Sequence, residues 1–307
     1  MNKLIAGILV LSVISCNKVT LSTPNDFNVT TASATYSIRD TVSFVLTGNP
    51  DYISFYSGEP HSKYALSNVH TLQADSNILS FSTATTAAGG TQPLTANNVL
   101  LLASTDYNGS PDSASIRKAT WKDISSRANW ATTTTTVVSG NIHVEDLTTD
   151  TLPVYLAFKY FADTAKSGYL SRKWILSTFS LKSYFKDTTY ALGTSYTTGG
   201  FYSTSIANPF DVWVYGNTSS ITQTLTFNAP ASGSLPDEDW AISRPFNLSL
   251  YPPDLGVYVK NAGDNSVSLY KKRYMKPGTY TATFVAKNQN SSQAYQVVKQ
   301  VTLTITP

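Results

Sequence analysis

Val154-Tyr155-Leu156-Ala157-Phe158-Lys159-Tyr160 sets Val154, Leu156, Phe158 and Tyr160 against Tyr155, Ala157 and Lys159. That period of two belongs to a strand whose successive side chains point to opposite faces. The same pattern returns near the far end of the chain, where Val301, Leu303 and Ile305 alternate with threonines. Val99-Leu100-Leu101-Leu102-Ala103 is instead continuously apolar, as expected of a strand covered on both faces. Turn signals punctuate these runs: Gly48-Asn49-Pro50-Asp51, Asn108-Gly109-Ser110-Pro111, Gly199-Gly200, Pro252-Pro253-Asp254 and Pro277-Gly278. No amphipathic helix longer than a turn or two stands out. The expected fold class is all-β, with β-sandwiches as the default architecture.

The N-terminus reads differently. Lys3 precedes an apolar run from Leu4 to Ile14, and Ser15 then stands before Cys16, the single cysteine. This has the form of a lipobox, so residues 1–15 are expected to be a lipoprotein signal peptide, Cys16 the lipidation site and residues 16–21 a tether. The bland reading of Cys16 is a small buried hydrophobe. An apolar run this short cannot span a bilayer, which takes roughly 20 residues. With Cys16 lipidated no thiol remains, which excludes disulfides, thiolate nucleophiles and cysteine-ligated metals. The expected arrangement is a soluble body attached to a membrane through its lipid anchor.

Loss of residues 1–15 removes Lys3 and no acid, leaving 21 basic against 19 acidic residues, a net charge of +2. The basic residues are scattered apart from Lys271-Lys272-Arg273, so nucleic acid is not an expected partner. About 290 residues suffice for two domains or one large one.

Three stretches carry a resemblance. Thr47-Gly48-Asn49-Pro50-Asp51-Tyr52-Ile53-Ser54-Phe55-Tyr56-Ser57-Gly58-Glu59 is the first, and Ser104-Thr105-Asp106-Tyr107-Asn108-Gly109 with Ala119-Thr120-Trp121-Lys122-Asp123-Ile124-Ser125 the second. Together with Val154 to Tyr160 they resemble a family of Bacteroidetes-type surface lipoproteins known as a domain of unknown function. From about Leu79 to Leu181 the chain is also similar to the jelly-roll modules of cleaved adhesins, closing on Trp174-Ile175-Leu176. The ends resemble an Ig-like PKD module: Thr41-Val42-Ser43-Phe44 and Ile53 to Glu59 resemble its first strands, although they depart from its Trp-Asp-Phe-Gly-Asp-Gly pattern. Tyr274, Lys276 to Phe284 and Val301 to Ile305 resemble its last strands, and Tyr280 is a candidate tyrosine corner. The resemblance implies an outer-membrane location. Asn17-Lys18-Val19-Thr20 lacks the acidic residues that surface-exported lipoproteins of this type carry after the cysteine, so the periplasmic face stays open beside the preferred cell surface.

Each end holds about three strands, whereas a free-standing sandwich of this type has roughly seven. Residues 22–66 and 255–307 are therefore expected to form the first and last parts of one Ig/PKD-like sandwich. A jelly-roll-like domain over 67–254 is then inserted between them. The alternative is a linear order of two or three sandwiches.

Catalytic patterns are sparse. His61, His70 and His143 show no zinc-site spacing, and no nucleophile elbow or phosphate loop occurs. Asp237-Glu238-Asp239 is the densest acidic cluster; a solvated turn is the expectation and a Ca2+ site the weaker alternative. Glu59 and Asp106 would serve as a glycosidase carboxylate pair only at a suitable separation. Aromatic residues make up 12% of the chain, 19 of them tyrosine, which suits stacking against sugar C–H faces or a protein partner. Trp121, Trp174 and Trp240 fall in strand-like patterns and are expected in the core. Trp130, Trp213 and Tyr215 lie beside polar or turn-rich stretches and are the candidates for an exposed ligand-binding platform. Asp-Ser/Thr tripeptides resembling an O-glycosylation sequon put sugar at Ser113, Thr151, Thr164 or Thr188, with Thr41 the weakest candidate.

The expected function is non-enzymatic binding of carbohydrate in support of glycan capture, with no cofactor beyond the Ca2+ alternative. The second reading is a cell-surface adhesion or structural module that binds protein, and a hydrolase ranks behind both.

Overall fold

A computed structural model of the chain describes residues 21–87, 98–147, 152–162, 172–216, 223–228 and 236–307. The expected signal peptide, Cys16, most of the expected tether, Thr151 and Thr164 lie outside the described residues. The first segment supplies β1 (Asn28–Thr31), β2 (Thr35–Ser37), β3 (Val42–Thr47) and β4 (Tyr52–Tyr56). The middle segment supplies β5 (Ser76–Ala87), β6 (Val99–Ser104), the short helix α1 (Ser113–Lys118), β7 (Lys122–Asp123), β8 (Val137–Val138) and β9 (Ile142–His143). It continues through β10 (Tyr155–Ala162), β11 (Arg172–Phe185), β12 (Thr188–Gly193), β13 (Tyr202–Ala207), β14 (Trp213–Gly216), β15 (Thr224–Phe227) and β16 (Asp237–Ile242). The last segment adds β17 (Val257–Lys260), β18 (Leu269–Lys272), β19 (Gly278–Gln289) and β20 (Ala294–Thr306). The fold is all-β, and its strands belong to two compact units.

The first unit joins residues 21–68 with Asp254–Pro307. Its sheets run β1-β3-β18 and β17-β4-β19-β20-β2. The two ends of the chain interleave strand by strand. On β4, Phe55 stands opposite Val257 on one side and Phe284 on the other. On β3, Phe44 stands opposite Thr31 and Tyr270. The alternation at the C-terminus turns Leu303 and Ile305 into a core shared with Phe27, Phe44, Phe55, Tyr274 and Phe284, so apolar side chains from both ends close it together. Tyr280 Oη donates to the Lys276 carbonyl at 2.9 Å, the backward bond of a tyrosine corner.

The second unit, Val69–Pro253, is a sandwich of the sheets β13-β16-β10-β6-β7 and β14-β15-β11-β5-β8, with β12 added to β11 and β9 to β5. Leu156, Phe158 and Tyr160 of β10 face Phe81, Trp174 and Phe227 of the other sheet. The opposite face of β10 is covered as well, which the alternation at 154–160 does not signal. Ala157 lies with Leu102, Trp240 and Ile242 beneath Ile116 of α1. The helix is held there by its cap, since the Asp112 carboxylate accepts the Ser115 N–H. Trp121, expected in the core, is half-buried on this outer cluster, 5.0 Å from Trp240, with its indole N–H donated to the Ile116 carbonyl. The entering and leaving chains of this unit are laced together: Thr71 bridges Leu250, Leu72 N–H donates to Ser249 O and Tyr251 N–H to His70 O.

Candidate functional site

The three aromatic residues expected to form a platform do not meet as one. Trp213 opens β14 in register with Phe227, so its ring faces the inter-sheet core, where it is 2% exposed and 5.5 Å edge-on from Phe227. It is a core residue; the turn-rich sequence before it conceals the inward face of a short strand. Trp130 is half-buried against Phe81 and Trp174, with its indole N–H on the Ser125 carbonyl. Tyr215 alone is exposed, at 45%; its Oη donates to the Phe201 carbonyl.

The acidic cluster is a strand rather than a solvated turn. On β16, Asp237 and Asp239 face inward and are buried, while Glu238 faces the other way. Glu238 pairs with Lys159 at 3.2 Å and accepts the Trp240 indole N–H, so it parts company with the two aspartates. Burial pushes both aspartyl carboxyl groups above the usual range, and Asp237 adds to the rise at Asp239. Among the described residues no group of three or more His, Cys, Asp and Glu is placed to hold a metal ion. Glu59 and Asp106 fall in different units and each is engaged: Glu59 with Lys272 at 2.6 Å, Asp106 with the Ser104 hydroxyl and the Thr120 N–H. Those two hydrogen-bond donors hold the Asp106 carboxyl below its usual range. A hollow of about 210 Å³ beside it is lined by Thr105, Thr120 and Lys122. His61, His70 and His143 are exposed, and His143 bonds Glu145. Ser113 and Thr41 are exposed and Thr188 is half-buried.

The better-formed recess lies in the first unit, on the outward face of β19. Ala282 and Phe284 point into the core, so Thr279, Thr281 and Thr283 point outward as a stripe of hydroxyl groups. Gln300 of β20 stands opposite Thr283, and its Nε2 donates to Thr283 Oγ1 at 3.2 Å. The segment after β4 folds over this stripe and buries Thr283 completely. Two hydrogen bonds shape the segment, Gly58 N–H to Ser62 O and Ser62 N–H to Glu59 O. Two more fix it: Lys63 N–H donates to Asp254 Oδ2 at 2.7 Å, and Leu255 N–H to the His61 carbonyl. Tyr64 then opens a single 3-10 turn, Tyr64–Leu66, and its ring meets Tyr56 edge to face at 5.3 Å. The result is a trough of about 280 Å³ lined by Gly58, Lys63, Tyr64, Ala65, the three threonines and Gln300. It offers one aromatic wall, hydroxyl and amide groups, and a lysine side chain, with room for a ligand of about one ring.

Gly58 makes this closure feasible. Its φ is +80°, and a Cβ there would stand 2.8 Å from the Thr281 nitrogen, a backbone atom that cannot move aside. Gly58→Ala is expected to cost about 1–3 kcal/mol. Amide hydrogen exchange should show it as faster exchange in β4 and β19 with β5 and β11 unchanged. Unaltered protection would show that the loop accommodates a side chain.

Sequence reading missed the trough because its two walls are more than two hundred residues apart in the chain. The signal that is present is the Thr279, Thr281, Thr283 alternation, which lies within the stretch that resembles the last strands of a PKD module. A family model described as a domain of unknown function, DUF5017, matches residues 15–201, more than half of the chain. No curated protein and no solved structure matches it significantly.

Proposed function

The chain belongs to the DUF5017 family, and we propose that it is a non-enzymatic, lipid-anchored outer-membrane protein that binds carbohydrate and supports glycan capture at the cell surface. The trough over β19 carries the reading. The Thr279 and Thr281 side chains and the Gln300 amide suit the alternating donors and acceptors of a sugar ring, and Tyr64 supplies the flat surface on which the apolar C–H face stacks. Cys16, lipidated, attaches the molecule to the membrane.

A glycan array probed with the full chain in detergent tests this, with Tyr64→Ala and Gln300→Ala alongside. A polysaccharide class bound by the native chain and about tenfold more weakly by Tyr64→Ala is expected. A blank array with folded protein would sink the reading, as would binding indifferent to both substitutions. Trp213→Ala is not a fair probe of binding, since the residue is buried in the core.

One observation favours a protein partner instead. β17 is an edge of its described sheet, and Leu255, Val257 and Tyr258 on and before it are 74%, 52% and 75% exposed. Such a strand accepts an added strand from another protein. This is the adhesion reading, which a blank array would promote.

A further inference from the structure

We propose that the trough over β19 is the first part of a longer site, in which Tyr56 and Tyr258 receive a second sugar, so that the ligand is a neutral, linear polysaccharide held over at least two of its rings. This rests on the carbohydrate reading given above and narrows it. The trough has room for about one ring, so a chain longer than one sugar has to leave it. Its aromatic wall continues outside. Tyr64 meets Tyr56 edge to face at 5.3 Å, and Tyr56 of β4 stands opposite Thr283 of β19. Residues directly opposite one another in an antiparallel ladder share a face, so Tyr56 belongs to the outward face that carries the trough. Tyr258 of β17 stands opposite Ser54, two residues from Tyr56 on β4, and therefore projects from that face as well.

The three tyrosines are neighbours. Burial holds the Tyr56 phenol above its usual range, and the phenols of Tyr64 and Tyr258 are close enough to add to the rise. Gly256, which precedes β17, makes room for the middle ring: a Cβ there would stand 2.8 Å from Tyr56 Cε2. Tyr258 is 75% exposed, more than any other tyrosine among the described residues. It presents a flat apolar surface to solvent, with a hydroxyl at its tip for polar partners, the combination that stacks on a sugar ring. The strand addition considered for β17 would use its backbone edge, whereas the sugar meets the ring standing on the face. Charge selects the class of polysaccharide. Ser54 and Val285 complete the strip between Tyr258 and β19 and carry none. Lys63 is the one charged residue lining the trough, and the Asp254 carboxylate accepts its backbone N–H. A chain with an acid on every sugar finds no run of cations here to match it.

The test titrates the full chain in detergent, by calorimetry, with cello-, malto-, xylo- and manno-oligosaccharides of increasing length, and with oligogalacturonides as the charged comparison. For one neutral series the affinity should rise about tenfold from a single sugar to the trimer. Tyr258→Ala should cut that rise to less than about twofold, Tyr258→Phe should keep it, and Tyr64→Ala should weaken binding at every length. Affinity that does not change with length overturns the proposal while the carbohydrate reading stands. So does a rise that Tyr258→Ala leaves intact, which would return Tyr258 to the strand edge. Oligogalacturonides bound more tightly than every neutral series overturn it as well. Binding to none of these sugars overturns the proposal, and a blank glycan array removes the reading beneath it too.

Discussion

Phe55→Ala is expected to remove about 3–5 kcal/mol from the stability of the first unit. The ring is 2% exposed and sits 5.5 Å from Phe44, 4.7 Å from Phe284 and 4.8 Å from Tyr270. Two of those three neighbours arrive from the C-terminal segment, so the truncation opens a cavity at the seam where the ends of the chain join. No nearby side chain is free to fill it, because the others are already packed in the same cluster. All five tryptophans lie between residues 121 and 240, inside the second unit. Denaturation followed by tryptophan fluorescence should therefore be unchanged, while far-UV circular dichroism should show an early loss of strand signal. A cost below about 1 kcal/mol would contradict the shared core. Coincident movement of both signals would instead show the two units unfolding as one.

Trp174→Ala should reverse that pattern, costing the second unit about 3–5 kcal/mol while the first keeps its own core packing as long as the second stays folded. Trp174 is fully buried on β11, opposite Thr85 and Phe227, and its ring meets Trp130 edge to face at 5.9 Å. Its indole N–H donates to Asn98 Oδ1 at 2.8 Å, and Asn98 is itself 1% exposed. The substitution thus combines a large cavity with the loss of a buried donor. Trp174→Phe should recover much of the packing but not the hydrogen bond, giving an intermediate loss. Urea titration read by the remaining tryptophans checks both: the midpoint falls while the slope stays constant. A midpoint equal to the native one would mean that the sandwich interior is not organised around this residue.

Local alternation made the strands legible. β10 and β20 follow directly from apolar residues at every second position, and β6 from its unbroken apolar run, because strand periodicity is recorded within a few residues. Asp237-Glu238-Asp239 misled for the same reason. Acidic residues depress local hydrophobicity, so the segment resembles a turn, yet Trp240-Ala241-Ile242 continues the same strand and fixes which acids face inward. Trp213 was misjudged because β14 is only four residues long and its flanking turns dominate the window. The trough was not legible at all. Gly58 and Tyr64 meet Thr281 and Gln300 only through the pairing of β4 with β19 and β19 with β20, a fact of topology that no local pattern encodes.

The interleaving of the chain ends also imposes an order of events. At a synthesis rate of about 5–20 residues per second, β4 exists for roughly 10–45 s before β19, its neighbour in the sheet, has been made. Through that interval Phe44 and Phe55 have no C-terminal strands to cover them. The second unit has its whole sequence available earlier, and once folded it laces residues 70–72 to residues 249–251. A loop of roughly 180 residues is thereby closed before the first unit assembles, which removes most of the entropy that bringing its two halves together would otherwise cost. Substitutions that slow the second unit will therefore delay the first as well, and prolong the exposure of its unpaired strands to aggregation.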